Sequence, residues 1–323
     1  MRQSSVLTEF ELEMAMAHIP VLTTELLEVL DVATDSRVVD CTFGGGGHAA
    51  AVCSRLGAEG LLIAADRDPL AYEYYDDLKQ SQSCRTAFYE GNFADVLAEL
   101  RAGGEAVTHV YMDLGVSSMQ IDTIDRGFSY TYDAPLDMRM DPSARLTAAI
   151  IVNEWEERRL ATLFREYGEE RYARGIARGI VRRRSTRPLE RTLELVDVIK
   201  SAIPTPARFG ARNPAMRVFQ ALRIAVNDEL SSLTRALPEA YGLLESGGVM
   251  AVISFHSLED RIVKEFFVSH AKGCVCPPGF PVCACGKKPD IEILTSRPIT
   301  PGEEELQANP RAGSAKLRAA RKL

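Results

Sequence analysis

Four consecutive glycines, Gly44 to Gly47, stand behind the apolar run Arg37-Val-Val-Asp-Cys41 and ahead of an alanine-rich stretch, Ala49 to Arg55. Glycine has no Cβ, so such a run reaches backbone dihedrals closed to other residues and lies flush against a ligand. A strand, a glycine turn and a helix in that order also offer unsatisfied N–H groups to an anionic ligand group. A second apolar run, Leu61-Leu-Ile-Ala-Ala65, ends on Asp66, 22 residues beyond Gly44. A carboxylate there accepts both hydroxyls of an adenosine ribose. Glycine turn and spaced acid together point to a nucleoside cofactor, whereas a glycine cluster alone marks only a flexible turn.

Further short apolar runs follow near Thr86 to Tyr89 and at His109-Val-Tyr-Met112, the latter ending on Asp113. A helix over His18 to Asp31 precedes them. Strands alternating with helices predict an α/β fold, a mostly parallel sheet covered on both faces. From Pro142 to Ala215 the alternation stops, and stretches rich in Glu and Arg take its place. It resumes with a helix over Met216 to Ala236 and a strand over Val249 to Phe255. The expected organisation is therefore an extension over 1–17, a discontinuous α/β domain over 18–141 and 216–323, and an inserted helical domain over 142–215. No internal repeat or low-complexity tract interrupts it.

The chain of 323 residues carries 38 basic and 45 acidic residues, net −7. That average hides a reversal: Arg158 to Arg191 holds 11 arginines against 4 glutamates, net +7, leaving −14 for the rest. At 100° per residue Arg171, Arg174, Arg178 and Arg182 fall within about 80° of one another, with Ile176 and Ile180 opposite. This predicts one amphipathic helix with a dry face and an arginine stripe. A basic surface, not a basic protein, is what RNA requires. Pairing with Glu166, Glu169, Glu170 and Glu190 is the alternative, but four acids cannot neutralise eleven arginines.

NAD and S-adenosylmethionine both fit the glycine turn and the acid. The unspaced Gly-Gly-Gly-Gly-His48 differs from the pattern that seats a pyrophosphate, and so favours the second. Longer blocks add to this: His18-Ile-Pro-Val-Leu22, Asp40-Cys-Thr-Phe-Gly-Gly-Gly-Gly-His48, Asp66-Arg-Asp-Pro69, Asp113-Leu-Gly-Val-Ser-Ser118 and Pro135-Leu-Asp-Met-Arg-Met-Asp141. Phe219-Gln-Ala-Leu-Arg-Ile-Ala-Val-Asn-Asp-Glu229, Ser254-Phe-His-Ser-Leu-Glu-Asp260, Asn309-Pro-Arg311 and Ser314-Ala-Lys-Leu-Arg318 complete the set. In length and order, from His18 to about Arg321, these blocks resemble the small-subunit ribosomal RNA methyltransferase H family.

The resemblance implies a class I S-adenosylmethionine-dependent methyltransferase fold, Rossmann-like, with an inserted α-helical domain. It also implies methyl transfer to N4 of a cytidine in the decoding region of 16S rRNA in the small ribosomal subunit. Carried over residue by residue, it places Gly45, Gly46, Gly47 and His48 on the methionine end of the donor and Asp66 on its ribose. Phe93 would pack on adenine, and Asp113 and Gln120 would complete the site. Cytosine N4 is a poor nucleophile because its lone pair is delocalised into the ring. An acceptor must therefore hold the amine hydrogens while the sulfonium methyl stands in line. Many amino-methyltransferases place Asp/Asn-Pro-Pro-aromatic after strand four. Here Asp113-Leu-Gly-Val-Ser-Ser118 stands instead, making Asp113 the candidate acceptor, with Ser117 or a loop carbonyl next and His256 a possible neighbour. The arginine-rich insertion would carry the RNA, aided by a C-terminal tract of Arg311, Lys316, Arg318, Arg321 and Lys322. Methylation of another RNA, a nicotinamide-dependent oxidoreductase and a non-enzymatic RNA-binding assembly factor are the competing readings.

Seven cysteines divide into two sets. Cys41, Cys53 and Cys84 are scattered and read as buried thiols of a reducing compartment. Cys274-Val-Cys276 and Cys283-Ala-Cys285 flank Pro277-Pro-Gly-Phe-Pro281. Four thiolates within twelve residues can close a tetrahedral zinc site, although Cys-x-Cys is tighter than the usual Cys-x-x-Cys; labile thiols or a disulfide are the alternatives. Residues 1–17 carry Glu9, Glu11 and Glu13 and no secretory pattern, and no apolar run reaches membrane-spanning length. The expectation is a cytoplasmic protein with no membrane partner.

Overall fold

A computed structural model describes residues 20–205, 213–274, 276 and 285–323. Its centre is a seven-stranded sheet: β1 (Arg37–Asp40), β2 (Leu61–Asp66), β3 (Arg85–Glu90), β4 (Val107–Asp113), β5 (Leu244–Ser254), β6 (Ile291–Ile293) and β7 (Lys316–Lys322). The order is β3-β2-β1-β4-β5-β7-β6. Strands β1 to β5 pair in parallel, whereas β7 runs antiparallel to both β5 and β6.

Side chains alternate across a strand, and both faces here are dry. Val38, Leu62, Ala64, Ala251 and Ile253 enter one core cluster, while their neighbours Val39, Ile63, Ala65, Met250 and Val252 enter another. Helices α1 (Thr23–Leu30), α2 (Gly47–Cys53) and α3 (Ala71–Ser81) cover the first face. Helices α4 (Phe93–Ala102), α11 (Glu229–Leu243) and α12 (Ser257–Ala271) cover the second. A continuous apolar run such as Leu61–Ala65 reads as a strand because it is buried on both sides.

Between β4 and α11 lie α5 (Ser118–Asp122), α6 (Ala148–Glu154), α7 (Glu157–Glu166), α8 (Ala173–Arg184), α9 (Thr192–Ala202) and α10 (Ala215–Asn227). Helices α6 to α10 share a third core cluster with Leu136 and Met138. The packing thus reaches past both expected edges, 142 and 215. The helix expected over Met216 to Ala236 is two helices. The chain turns left-handed at Asp228, φ 51°, and buried Asn227 donates to the Met138 carbonyl (2.8 Å) and accepts from Met140 N–H (2.8 Å). A side chain that bonds distant backbone on both sides ends a helix that propensity alone would continue.

Helix α8 carries the expected faces: Ile176 and Ile180 are wholly buried, while Arg174, Arg178 and Arg182 are exposed, with Arg171 just ahead of its first turn. The C-terminal tract is corrected. Lys316 to Lys322 is strand β7, and its charges have partners within the chain. Arg318 and Lys316 pair with Asp260 (2.6 and 3.4 Å), Arg321 with Glu292 (3.0 Å), and Lys322 caps the Tyr241 and Leu244 carbonyls. Arg311 pairs with Asp122 at 2.9 Å. The pattern hides because Ala319 and Ala320, small residues of low strand propensity, form the strand's middle.

Candidate active site

The site lies where α/β sheets place ligands, outside the carboxyl ends of the parallel strands. Strand β1 ends on Asp40, which is buried and accepts from the Tyr111 hydroxyl (2.6 Å) and from Thr42 N–H (3.0 Å). Burial lifts its pKa to about 6 against the pull of these two bonds. Thr42, fixed in this way, accepts Asp113 N–H on its Oγ1 at 2.6 Å. The acid at the end of β4 is therefore set by a chain of contacts beginning under the glycine turn.

Within that turn Gly46 is left-handed, φ 77°, and a Cβ on it would fall 2.8 Å from the Phe43 ring. Gly45 is the opposite case: a Cβ there would meet nothing within 4 Å. The first glycine lets the turn close, and the second leaves open the space a ligand uses. Gly44 N–H donates to Asp66 Oδ2 (2.7 Å) and Asp68 N–H to Asp66 Oδ1 (2.9 Å). Burial raises the Asp66 pKa, and these two donors pull it back. Each oxygen keeps a lone pair for a hydroxyl donor.

These groups line one cleft of about 930 Å³, within the range of small-molecule sites. Gly45, Gly47, His48, Asp66, Phe93, Asp113 and Gln120 all border it, as do Ser117 and Glu259. Gly46 turns into the protein and His256 is not on the wall. The cleft thus gathers most of the residues named from sequence, but it gives two of them internal partners. Gln120 receives Ser117 N–H on Oε1 (3.1 Å) and donates Nε2–H to Asp68 (2.9 Å), so it braces the wall. His48 points Nε2 at the Val21 carbonyl, 2.9 Å away. A carbonyl only accepts, so Nε2 carries the hydrogen. Burial holds the imidazole pKa below its usual value, and the neutral ring presents the bare Nδ1 3.4 Å from Asp113 Oδ2.

Asp113 is the unusual member. Its Oδ1 is buried and has no hydrogen-bond partner among the described residues. Burial, and then the negative charge of Glu259, lift its pKa to about 8. An unpaired buried acceptor is expensive in a folded chain, and such groups cluster where chemistry is done.

Several residues on the wall or behind it escaped the sequence reading. Arg126 pairs with wholly buried Asp68 (2.8 Å) and also caps the Arg139 and Met140 carbonyls (2.9 and 2.8 Å). Arg223 forms a two-pronged pair with Glu229, 2.8 Å on each prong. Glu259 closes α12 at its start, accepting Phe255 and His256 N–H (2.9 and 3.2 Å), while His256 Nδ1 receives Glu259 N–H at 3.4 Å. His256 thus caps the helix and orients Glu259. That reciprocal bonding has the capping-box spacing, Glu three residues past the cap, with His256 in place of the usual Ser or Thr. The Asp68–Arg126 pair spans 58 residues and left no local signal.

The sheet order separates the two cofactor readings. A dinucleotide fold runs 3-2-1-4-5-6, whereas here an antiparallel β7 is wedged between β5 and β6. The family model described as the MraW methylase family matches residues 15–323. The chain belongs to the MraW methylase family. Its fold is that of a class I methyltransferase, and its cofactor is S-adenosylmethionine. It is 51% identical to the ribosomal RNA small subunit methyltransferase H of Heliobacterium modesticaldum, across 96% of this chain and 100% of that one. The protein of the same name from Symbiobacterium thermophilum is 52% identical across 96% and 98% of the two chains. That of Geobacter sulfurreducens is 51% identical across 96% and 100%. The nicotinamide-dependent reading is set aside by this membership.

The cleft suits the donor on its own features: the space in front of Gly45, the Asp66 carboxylate with a lone pair left on each oxygen, and a flat ring, Phe93, at the start of α4. Among the described residues no helix is long and apolar enough to cross a membrane.

Proposed function

We propose that this methyltransferase acts on small-subunit ribosomal RNA and methylates N4 of a cytidine in the decoding region of 16S rRNA. The observation that carries the reading is the orphaned Asp113 Oδ1, a buried acceptor at the cleft. An exocyclic amine brings two N–H donors to such an oxygen, and the names of the relatives direct the reading to ribosomal RNA.

S-adenosylmethionine supplies an electrophilic methyl group on a positively charged sulfur. The protein's residues do the rest. Gly45 and Gly47 let the main chain approach the donor's methionine end, Asp66 receives its ribose hydroxyls, and Phe93 lies against its adenine. Asp113 Oδ1 accepts an amine hydrogen, which draws the nitrogen lone pair out of conjugation with the ring. Holding amine and methyl at about 3–3.5 Å supplies much of the acceleration. As the new C–N bond forms, the amine gives up a proton, and the carboxyl of Asp113, with its raised affinity for protons, is placed to receive it. Once that proton sits on Oδ2, the carboxyl can donate it to the bare Nδ1 of His48, 3.4 Å away, which makes His48 a positioning residue.

The base must be unpaired or turned out of its stack to enter the cleft. Helix α8 offers the phosphate-binding face. Arg178 pairs with Glu157 only at 3.8 Å, and Arg183 and Arg187 share one acid, Glu194 (3.6 and 3.7 Å). Arg174 and Arg182 have no ion pair among the described residues, so the stripe keeps charge for phosphate.

The test is incubation of unmethylated small subunits, and separately of naked 16S rRNA, with labelled donor, followed by nucleoside mass spectrometry. N4-methylcytidine at one position is the expected product. A label on a ring carbon, on a ribose oxygen, or on neither RNA overturns the reading.

A further inference from the structure

The stretch between α12 and β6 has a different character from the rest of the fold. Its stem is closed by hydrogen bonds: Asp290 N–H donates to the His270 carbonyl (3.2 Å), and the His270 ring contacts the Asp290 carboxylate (3.0 Å). Beyond that stem, no described residue from 272 to 290 belongs to any of the three core clusters. Cys41, Cys53 and Cys84 are buried core thiols, as expected, and Cys53 and Cys84 touch at 3.3 Å. Cys274, Cys276 and Cys285 are not core residues, yet their sulfurs all lie within 4.8 Å of one another. Cys283 lies outside the described residues.

We propose that Cys274, Cys276 and Cys285 ligate a zinc ion that holds this loop together. The distance between the two arms is the deciding quantity. With Zn–S near 2.3 Å in a tetrahedron, two ligating sulfurs stand about 3.8 Å apart. Cys274 Sγ and Cys285 Sγ are 3.7 Å apart. A disulfide needs about 2.05 Å, so the pair is not bonded, and its spacing accommodates two ligands sharing an ion. Cys276 N–H also donates to Cys274 Sγ at 3.4 Å, a bond that favours the thiolate over the thiol. Zinc binding displaces the thiol protons into solvent, and its free energy becomes folding free energy for a loop whose described residues lie outside the three core clusters. The site is remote in sequence from Asp66 and Asp113, and its role is structural.

The experiment uses full-length protein, reduced and purified without chelator, with bound metal measured by mass spectrometry and the cobalt(II)-loaded form examined by absorption. One metal per chain is expected, with the visible bands of tetrahedral cobalt and a thiolate charge-transfer band in the near ultraviolet. Cys274→Ser, Cys276→Ser and Cys285→Ser should each weaken metal binding by roughly tenfold or more and diminish the charge-transfer band, while Cys84→Ser leaves both intact. A chain that binds no metal and shows no cobalt bands overturns the proposal. So does a cobalt spectrum that survives the three serine variants, or a Cys274–Cys285 disulfide that persists under reductant. Each readout is independent of methyl transfer, so failure here leaves the RNA reading standing, and the reverse.

Discussion

Arginine is used in opposite ways at the cleft and on helix α8. At the cleft, Arg126 faces a carboxylate and two carbonyls, and Arg223 grips Glu229 with both prongs. On α8, Arg174 and Arg182 lie in solvent with no acidic partner among the described residues. Charges removed from water must be matched inside the fold or they destabilise it. Charges left in water contribute little to stability and are available to a partner. The contrast underlies the proposed roles, one set holding the cleft and the other meeting RNA, and it can be broken at either end.

The largest effect is expected at the buried end. Arg126→Ala leaves the Asp68 carboxylate enclosed without its counter-charge, a situation that costs about 3–5 kcal/mol. Urea unfolding should show this loss, and Asp68→Asn introduced with it should recover part of the stability by removing the stranded charge. If Arg126→Ala is as stable as the parent, the claim that the cleft is held by matched charges is wrong.

Asp113→Asn should separate chemistry from stability. Turnover should fall by about 10²–10³, the scale of a lost proton acceptor, while the fold gains. The pKa of Asp113 is lifted to about 8, from an ordinary 3.8. Between those values the folded chain holds a proton that the unfolded chain has released, so stability falls as pH rises. Replacement by asparagine removes that slope. The variant should melt higher than the parent at pH 8 and nearly level with it at pH 4. Melting curves at the two pH values test the sign.

The next pair of effects falls on opposite ligands. Asp66→Ala should weaken donor binding by roughly tenfold to a hundredfold, the value of charge-assisted hydrogen bonds, and leave RNA affinity unchanged. Arg174→Glu with Arg178→Glu should weaken RNA by about tenfold and flatten its salt dependence by roughly 0.7–0.9 for each lost phosphate contact. Donor affinity should hold. Calorimetry and filter binding on the same preparations distinguish them, and an RNA affinity unmoved by the arginine changes would exclude α8 as the platform.

What could be read beforehand follows the same division. The glycine turn, Asp66, Asp113 and the α8 stripe were legible because each is a local pattern: a run of one residue, an acid closing an apolar strand, a 100° periodicity. Strand β7 was not, since Lys316-Leu-Arg-Ala-Ala-Arg-Lys322 reads as a basic tail until Asp260 and Glu292 are brought against it. Gln120 and His48 were named only through the family resemblance, and their contacts were hidden, because Asp68 and Val21 reach them only through the fold. Partners distant in sequence decide whether a charge is internal or offered outward, and no local pattern records them.

Glu259 tests the finest part of the contrast, since its carboxylate lies inside the charge set that raises the Asp113 pKa. Burial by itself would raise the Glu259 pKa, but the His256 side-chain contact, with Arg223 and the Phe255 N–H, outweighs it, so Glu259 is ionised at neutral pH. Its negative charge disfavours ionisation of Asp113. Glu259→Gln keeps an oxygen for Phe255 and His256 N–H and removes the charge, so Asp113 should release its proton at lower pH. The rising limb of the methyl-transfer rate against pH should therefore move to the acid side by less than about one unit, with the plateau rate little changed. A limb that stays in place would mean that the proton acceptor lies elsewhere. A limb that moves with Glu259→Gln and disappears with Asp113→Asn would tie the amine's proton to an acid that the described residues leave half unpaired.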